Sequence, residues 1–576
     1  MIKLLKYLRK GAVLCAIMAP IFMFLEVSMD LMQPKLMSDI IDVGVSNGDI
    51  SYVLSVGVKM LFMAFLGIVG GAGCSIFASI SAMNFGQELR RAIFEKIQTL
   101  SFKELDEFKT SSLITRVTND VTQFQNMFFM ALRVVIRAPL MAVGGIFMAV
   151  SLSLELSKIL LIILPIMIVV VLFIMKRSFA LFSNVQKKVD NVNIVMRENI
   201  LGMRVVKAFI MEGKQWNKFT KVNDELMDAH IEAQNIQIFL WPIVTLLLNF
   251  GVIAVLWFGG NLANAGGIEV GKIMAFVNYL MQIMNSLMMV IMIALNISRA
   301  KASADRINEV FERESSIKEE KNKENIDRFD VEFRNVFFKY NEDGEDVLSD
   351  ISFTISEGEK VGIIGTTGSG KSSLISLIPR LYDVTNGEIL FGGKDVRKLS
   401  IKDLRHYIGV VPQDNTLFSG TIEENFRFGK GDATEEELIR AAKNSEAYEF
   451  ISEKEGDFQG VVEQRGKNFS GGQKQRLCIG RTLIRNPKIL IMDDSTSALD
   501  MATEARLQEN IKNEIKDSTF ILVAQRIAAL MNLDKIIVLD EGRISGIGTH
   551  KELLKSNEIY RSIVVSQLGE EALRNV

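Results

Sequence analysis

Apolar residues gather into six long runs before residue 300, near 11–32, 53–83, 127–151, 155–175, 238–260 and 272–297. Each has roughly the ~20 residues that a helix needs to cross a hydrocarbon layer of about 30 Å, so the pattern predicts six membrane-spanning helices. Buried helices of a large soluble protein would show no sidedness, whereas the basic residues between these runs alternate. Lys3, Lys6, Arg9 and Lys10 precede the first run, and Arg90, Arg91, Lys96, Lys103, Lys109 and Arg116 fill the second connection. Ten more lie from Lys176 to Lys221, while the connections near 33–52, 152–154 and 261–271 carry almost none. Both ends of this region are therefore expected on the cytoplasmic side of a cell membrane. The first run is too long, and too directly followed by the second, to be a cleaved leader. The connections 84–126 and 176–237 hold few glycines and only helix-tolerant residues, which predicts helices projecting far into the cytoplasm.

Beyond residue 300 the pattern changes. Residues 301–328 read as a charge-rich helix end and linker, and from Phe329 short β-rich runs alternate with helices. The expected organisation is a helical membrane domain over 1–300, a linker over 301–328 and a soluble α/β domain over 329–576. Composition removes several function classes. With 66 Lys plus Arg against 68 Asp plus Glu, no electrostatic nucleic-acid partner is expected. Cys15, Cys74 and Cys478 have no paired spacing that would suggest disulfides or zinc, and His230, His406 and His550 lie too far apart in sequence for a histidine-based centre.

The chemistry is concentrated in the second half. Strand-like EKVGIIG leads into Gly365-Thr366-Thr367-Gly368-Ser369-Gly370-Lys371-Ser372-Ser373 and then a helix-like segment, the strand, loop and helix context of a P-loop. Glycines let backbone N–H groups close around phosphates, Lys371 neutralises their oxygens, and the Ser372 hydroxyl suits Mg²⁺. Downstream, apolar KILIM ends in Asp493, a carboxylate placed at a strand end where it can hold the same ion.

Between these two halves lies Phe469-Ser470-Gly471-Gly472-Gln473. With these motifs the chain resembles an ATP-binding cassette (ABC) exporter half-transporter along its whole length. The resemblance implies six spans fused to an α/β P-loop ATPase domain of ABC type, with ATP and Mg²⁺ as cofactors. It gives Tyr340, in FFKY, an adenine-stacking role, and Gln413, in VPQD, a Mg²⁺-sensing and membrane-coupling role. Ser497-Ala498-Leu499-Asp500 matches the D-loop. Ser470, Gly471, Gly472 and Gln473 are implied to reach the ATP held by another subunit, a role that suits the free N–H groups of a helix start.

Two positions depart from that family pattern. The glutamate expected after the strand-end aspartate is Asp494, one methylene shorter, and the switch histidine expected after FILVA is Gln525, which cannot share a proton. Both losses point to a site that binds ATP and hydrolyses it poorly. The chain thus resembles the degenerate-site subunit of bacterial heterodimeric multidrug exporters, and TSSLITRVTNDV also looks like that subgroup. The implied partner is a second half-transporter with glutamate and histidine intact, whose site this chain's Ser470–Gln473 would complete.

The substrate is less legible. Glu26 and Asp30 lie four apart on one face of the first span, either facing a cavity, where they would attract cations, or satisfied by a neighbouring helix and the interface. Asn278, Gln282 and Asn285 form a stripe in a methionine-rich sixth span, suited either to a hydrophobic small molecule or to ordinary helix packing. Arg133 and Arg137 are expected to be positive-inside anchors. Membrane lipid is the surrounding partner in every case. Rival readings are a lipid or peptide exporter of the same fold and an ATP-gated channel or receptor.

Overall fold

The computed structural model describes residues 2–319, 324–514 and 517–570. Residues 320–323 of the expected linker, and 515, 516 and 571–576 of the expected soluble domain, lie outside the described residues, as do the side chains of 291–296 in the sixth run. The chain divides into two compact units, one of residues 1–98 and 111–312, the other of 99–110 and 313–576.

Among the described residues six helices are long and apolar enough to cross a membrane. They are α1 Lys10–Val45, α2 Ile50–Gln98, α4 Thr110–Leu152, α5 Leu154–Leu201, α7 Glu212–Asn264 and α8, which begins at Val270 and runs to Glu312. Two short helices interrupt the series, α3 Phe102–Phe108, which belongs with the second unit, and α6 Met203–Ala208. At about 1.5 Å per residue, the 49 residues of α2 extend about 70 Å, more than twice a ~30 Å hydrocarbon layer. The expected long extensions are thus continuations of the spans. Large apolar side chains such as Leu61, Phe65, Leu161, Phe173, Trp257 and Phe258 stand exposed on these helices, as a lipid solvent allows. Small residues set the helix contacts: a Cβ added at Gly70 would lie 2.8 Å from the Glu26 backbone nitrogen, so glycine lets α1 and α2 approach.

The second unit is built on β1 Val331–Phe338, β2 Leu348–Ile355, β3 Lys360–Gly365, β4 Asn386–Phe391, β5 Lys394–Asp395, β6 Ile408–Val411, β7 Gly420–Thr421, β8 Val461–Val462, β9 Ile489–Asp493, β10 Thr519–Val523, β11 Lys535–Asp540 and β12 Arg543–Gly548. A four-stranded antiparallel sheet runs β2-β1-β4-β5, a six-stranded sheet runs β12-β11-β3-β10-β9-β6, and β7 pairs with β8. In the larger sheet only the edge strand β12 is antiparallel. Its central strands are apolar on both faces because alternate residues enter two cores. Val361, Ile363, Ile491, Ile521 and Leu539 join one, and Ile364, Leu490, Met492, Leu522 and Val538 the other. The parallel register pairs Val523 with both Ile363 and Asp493, so the carboxyl ends of β3, β9 and β10 come level. Ligands of such sheets bind off those ends.

Candidate nucleotide site

The chain leaves β3 at Gly365 and turns through two left-handed glycines, Gly368 (φ 86°) and Gly370 (φ 93°), before α9 Lys371–Leu377 begins. Those backbone angles strain any side-chain-bearing residue, which is why the loop needs glycine there. Lys371 folds back over the loop and donates from Nζ to the carbonyls of Gly365 (2.9 Å) and Thr366 (2.8 Å). Burial pushes its ammonium below the usual lysine range, against the pull of Asp493 and Asp494. The Ser372 hydroxyl donates to Asp493 Oδ1 at 3.2 Å. Asp493 is buried at the end of β9, and desolvation holds its carboxyl above the ordinary range although the Ser372 bond opposes this.

Thr367, Gly368, Gly370, Lys371, Ser372, Ser373, Gln413, Asp493, Asp494 and Gln525 line one cavity of about 250 Å³. Most of the P-loop, the strand-end pair, the Q-loop glutamine and the switch position are therefore brought together. Asp494 adopts φ 44°, which turns it out of the strand, and its Oδ2 accepts a 2.8 Å hydrogen bond from Gln525 Nε2. Desolvation raises the Asp494 carboxyl, opposed by Gln525, Lys371 and Arg526.

The donor set fits a polyphosphate: loop N–H groups, an ammonium and the buried Ser369 hydroxyl, which has no hydrogen-bond partner among the described residues. It also fits a hard cation, since the Ser372 hydroxyl, the Asp493 carboxylate and the Gln413 amide all offer oxygen. Among the described residues no group of three His, Cys, Asp or Glu side chains could hold a metal.

Tyr340 is 39% exposed, and its hydroxyl bonds Ser373 Oγ at 2.9 Å. Its ring meets Phe338 and Tyr382 edge-on, at 4.9 and 5.3 Å between centroids. The sequence reading missed Tyr382, whose hydroxyl donates to Asp106 of α3 at 2.6 Å. It also missed Gln567, on α11 Glu558–Leu568. That amide donates to the Gln525 carbonyl (2.7 Å) and accepts from the Ile527 N–H (2.8 Å), bracketing the switch segment. Neither residue carries a motif signal.

Ser470 to Gln473 do not line the cavity. Ser470 caps helix α10 Gly471–Leu483 in a reciprocal box, its Oγ accepting from the Gln473 N–H at 3.3 Å and Gln473 Oε1 accepting from the Ser470 N–H at 3.0 Å. A Cβ at Gly472 would meet the Ala498 carbonyl at 3.1 Å, and Gln475 Oε1 accepts from the Ala498 N–H. The helix start and the SALD loop therefore form one surface.

In the membrane domain Arg137, expected as an interfacial anchor, has two carboxylate partners. Its guanidinium bonds Glu26 Oε1 and, at 2.9 Å, Asp30 Oδ2, because the packing of α1 against α4 puts the three charges together. On α8, Asn278 and Asn285 are exposed and Gln282 is half-buried, while Tyr279, Ile283 and Ser286 turn inward. The Asn278 amide donates to the Met274 carbonyl of its own helix.

Residues 16–287 match the family model for the ABC transporter transmembrane region, and residues 348–497 match that for ABC transporters. The chain is 40% identical to an uncharacterized ABC transporter ATP-binding protein of Bacillus subtilis, YfiB, over 99% of both chains. It is 38% identical to another of Mycobacterium tuberculosis, Rv1273c, over 93% of this chain and 92% of that one. YgaD of B. subtilis, whose name assigns it provisionally to multidrug export, is 34% identical over 85% of each. A solved bacterial Atm1-family ABC exporter with ATP bound shares the fold, with a TM-score of 0.82 at 24% identity over 97% of this chain and 100% of that one.

Proposed function

Because this chain belongs to the ABC transporter family, with membrane and ATPase regions in one polypeptide, we propose that it is one half of an exporter of hydrophobic drugs. In this reading it pairs with a different half-transporter and contributes a hydrolytically weak ATP site. The fusion of six apolar helices to an ABC ATPase domain makes the chain a multi-pass transporter that couples ATP hydrolysis to transport. The basic bias of its connections supports a cytoplasmic ATPase domain. The name of YgaD supports a drug substrate.

The observation that carries the unequal-site reading is the pairing of Gln525 with Asp494 beside Lys371. Lys371 and the loop N–H groups hold and orient the phosphates. Ser372, Asp493 and Gln413 would hold Mg²⁺, which supplies charge neutralisation on the transferring phosphate. Asp494 ends about an ångström short of where a glutamate carboxylate would stand, a misplacement that can cost about 10²-fold in rate. Gln525 gives its amide hydrogen to that carboxylate and has no titratable proton to exchange. The site therefore retains ATP, while Ser470–Gln473 serve the partner's nucleotide. Glu26, Asp30, Asn278, Gln282 and Asn285 are the proposed substrate contacts.

The test is co-purification with the neighbouring gene product, followed by vanadate-sensitive transport of a dye panel by the reconstituted pair. Dye-stimulated ATPase with unequal nucleotide retention at the two sites supports the reading. Stimulation by lipids or peptides alone would replace the substrate class, and a homodimer with full turnover would remove the partner.

A further inference from the structure

We propose that Asp30, Glu26 and Arg137 form a binding site within the membrane domain for an organic monocation bearing N–H donors, such as a primary ammonium or an amidinium. This rests on the exporter reading above and gives its substrate a chemical class. Glu26 and Asp30 lie one turn apart on α1, and Arg137 of α4 serves both, with Nη1 on Glu26 Oε1 and Nη2 on Asp30 Oδ2. A guanidinium is best matched when both its N–H groups close on one carboxylate. Here it is divided, and the division has a visible cost. Glu26 is only 8% exposed, and its Oε2 is buried with no hydrogen-bond partner among the described residues. That oxygen lies against α2, where a Cβ at Gly71 would stand 3.2 Å from it, so no organic group enters from that side.

Two carboxylates share one bonded guanidinium, so within the hydrogen-bonded cluster acceptor charges outnumber the cation by one. Arg133, the other cation on this stretch of α4, bonds neither carboxylate. An uncompensated charge in a membrane span is costly, and a second cation would relieve it. Asp30 is the member open to one, its side chain 35% exposed against 11% for Glu26. When a ligand cation takes Asp30, Arg137 is free to close both N–H groups on Glu26 and satisfy Oε2. One bond is given up, Arg137 to Asp30, and two are formed. The bond surrendered is N–H to carboxylate, so a ligand that returns an N–H is favoured over a quaternary cation of equal charge.

The experiment measures binding of octylammonium, octyltrimethylammonium and octanol to the full chain, with its co-purifying partner, in nanodiscs, corrected for empty nanodiscs. Octylammonium is expected to bind about tenfold more tightly than octyltrimethylammonium, the worth of one hydrogen bond to a charged group. Asp30→Asn should abolish that preference and Asp30→Glu should keep it. Glu26→Gln should weaken octylammonium binding, because Arg137 then has no second carboxylate to close on. Equal binding of the two ammonium ligands by the unaltered chain, or an undiminished preference in Asp30→Asn, overturns the site. Equal loss of all three ligands in both Asp30 variants overturns it as well. ATP-dependent export of a neutral dye with no ammonium preference would sink the site and leave the exporter reading standing. The preference without any export would do the reverse.

Discussion

Gln525 Nε2 donates to Asp494 Oδ2 across 2.8 Å, so the two positions that depart from the family pattern are bonded to each other. If the site hydrolyses poorly because its carboxylate is short and its switch residue cannot share a proton, little activity is lost by altering either. Asp494→Asn or Gln525→Ala is expected to leave most of the pair's ATPase at saturating Mg-ATP. In the proposed partner, replacing an intact glutamate should cost about 10²–10⁴-fold. Loss of turnover with Asp494→Asn alone would mean that Asp494 is a working base.

Lys371→Ala is expected to remove nucleotide photolabelling of this chain, since the main charge facing the phosphates is gone. Labelling of the partner should persist. Undiminished labelling of the altered chain would place the nucleotide elsewhere.

Ser470→Ala removes a helix cap worth about 1 kcal/mol and a group proposed to touch the partner's phosphate. Hydrolysis by the pair should fall while photolabelling of this chain's own P-loop is unchanged. The two readouts separate a role across the dimer from local unfolding, which would weaken both.

The carboxyls of Asp493 and Asp494 are both held above the ordinary aspartate value of 3.8 by burial. Between that value and their raised ones the folded chain keeps protons that the unfolded chain has released. Their contribution to stability is therefore fully present below the ordinary value and is lost as pH rises through the raised ones. Melting of the nucleotide-free chain in nanodiscs, followed across that window, should decline less for the Asp493→Asn, Asp494→Asn double variant than for the parent. Identical profiles would show that neither group is shifted.

Gln567→Ala deletes both bonds that bracket the switch segment, a loss of about 1–3 kcal/mol locally. Hydrogen exchange at Gln525–Ile527 should quicken while exchange in β9 and β10 stays slow. Unchanged protection at 525–527 would show that α11 does not hold the switch.

Much of this protein is legible along the chain. Six apolar runs mark the spans because a membrane accepts only backbone that satisfies itself within the segment, and the P-loop declares itself through glycines demanded at Gly368 and Gly370 by left-handed backbone. The departures at Asp494 and Gln525 are also visible there, since strand and loop context fixes which positions to compare. All of these are local demands, met by neighbours in sequence. The contacts that arrange the site are not local. Asp106 meets Tyr382, Gln567 meets Gln525, and Arg137 meets Glu26 and Asp30 only because packing brings distant helices and strands within hydrogen-bond reach. Arg137 is the clearest case. Its place beside Arg133 in the first half of the 127–151 run is what an anchor near the inner interface shows, and only the seating of α4 against α1 makes it the counter-charge of two carboxylates. Local periodicity records which face of a helix is apolar, whereas the identity of the group across that face is decided by tertiary packing.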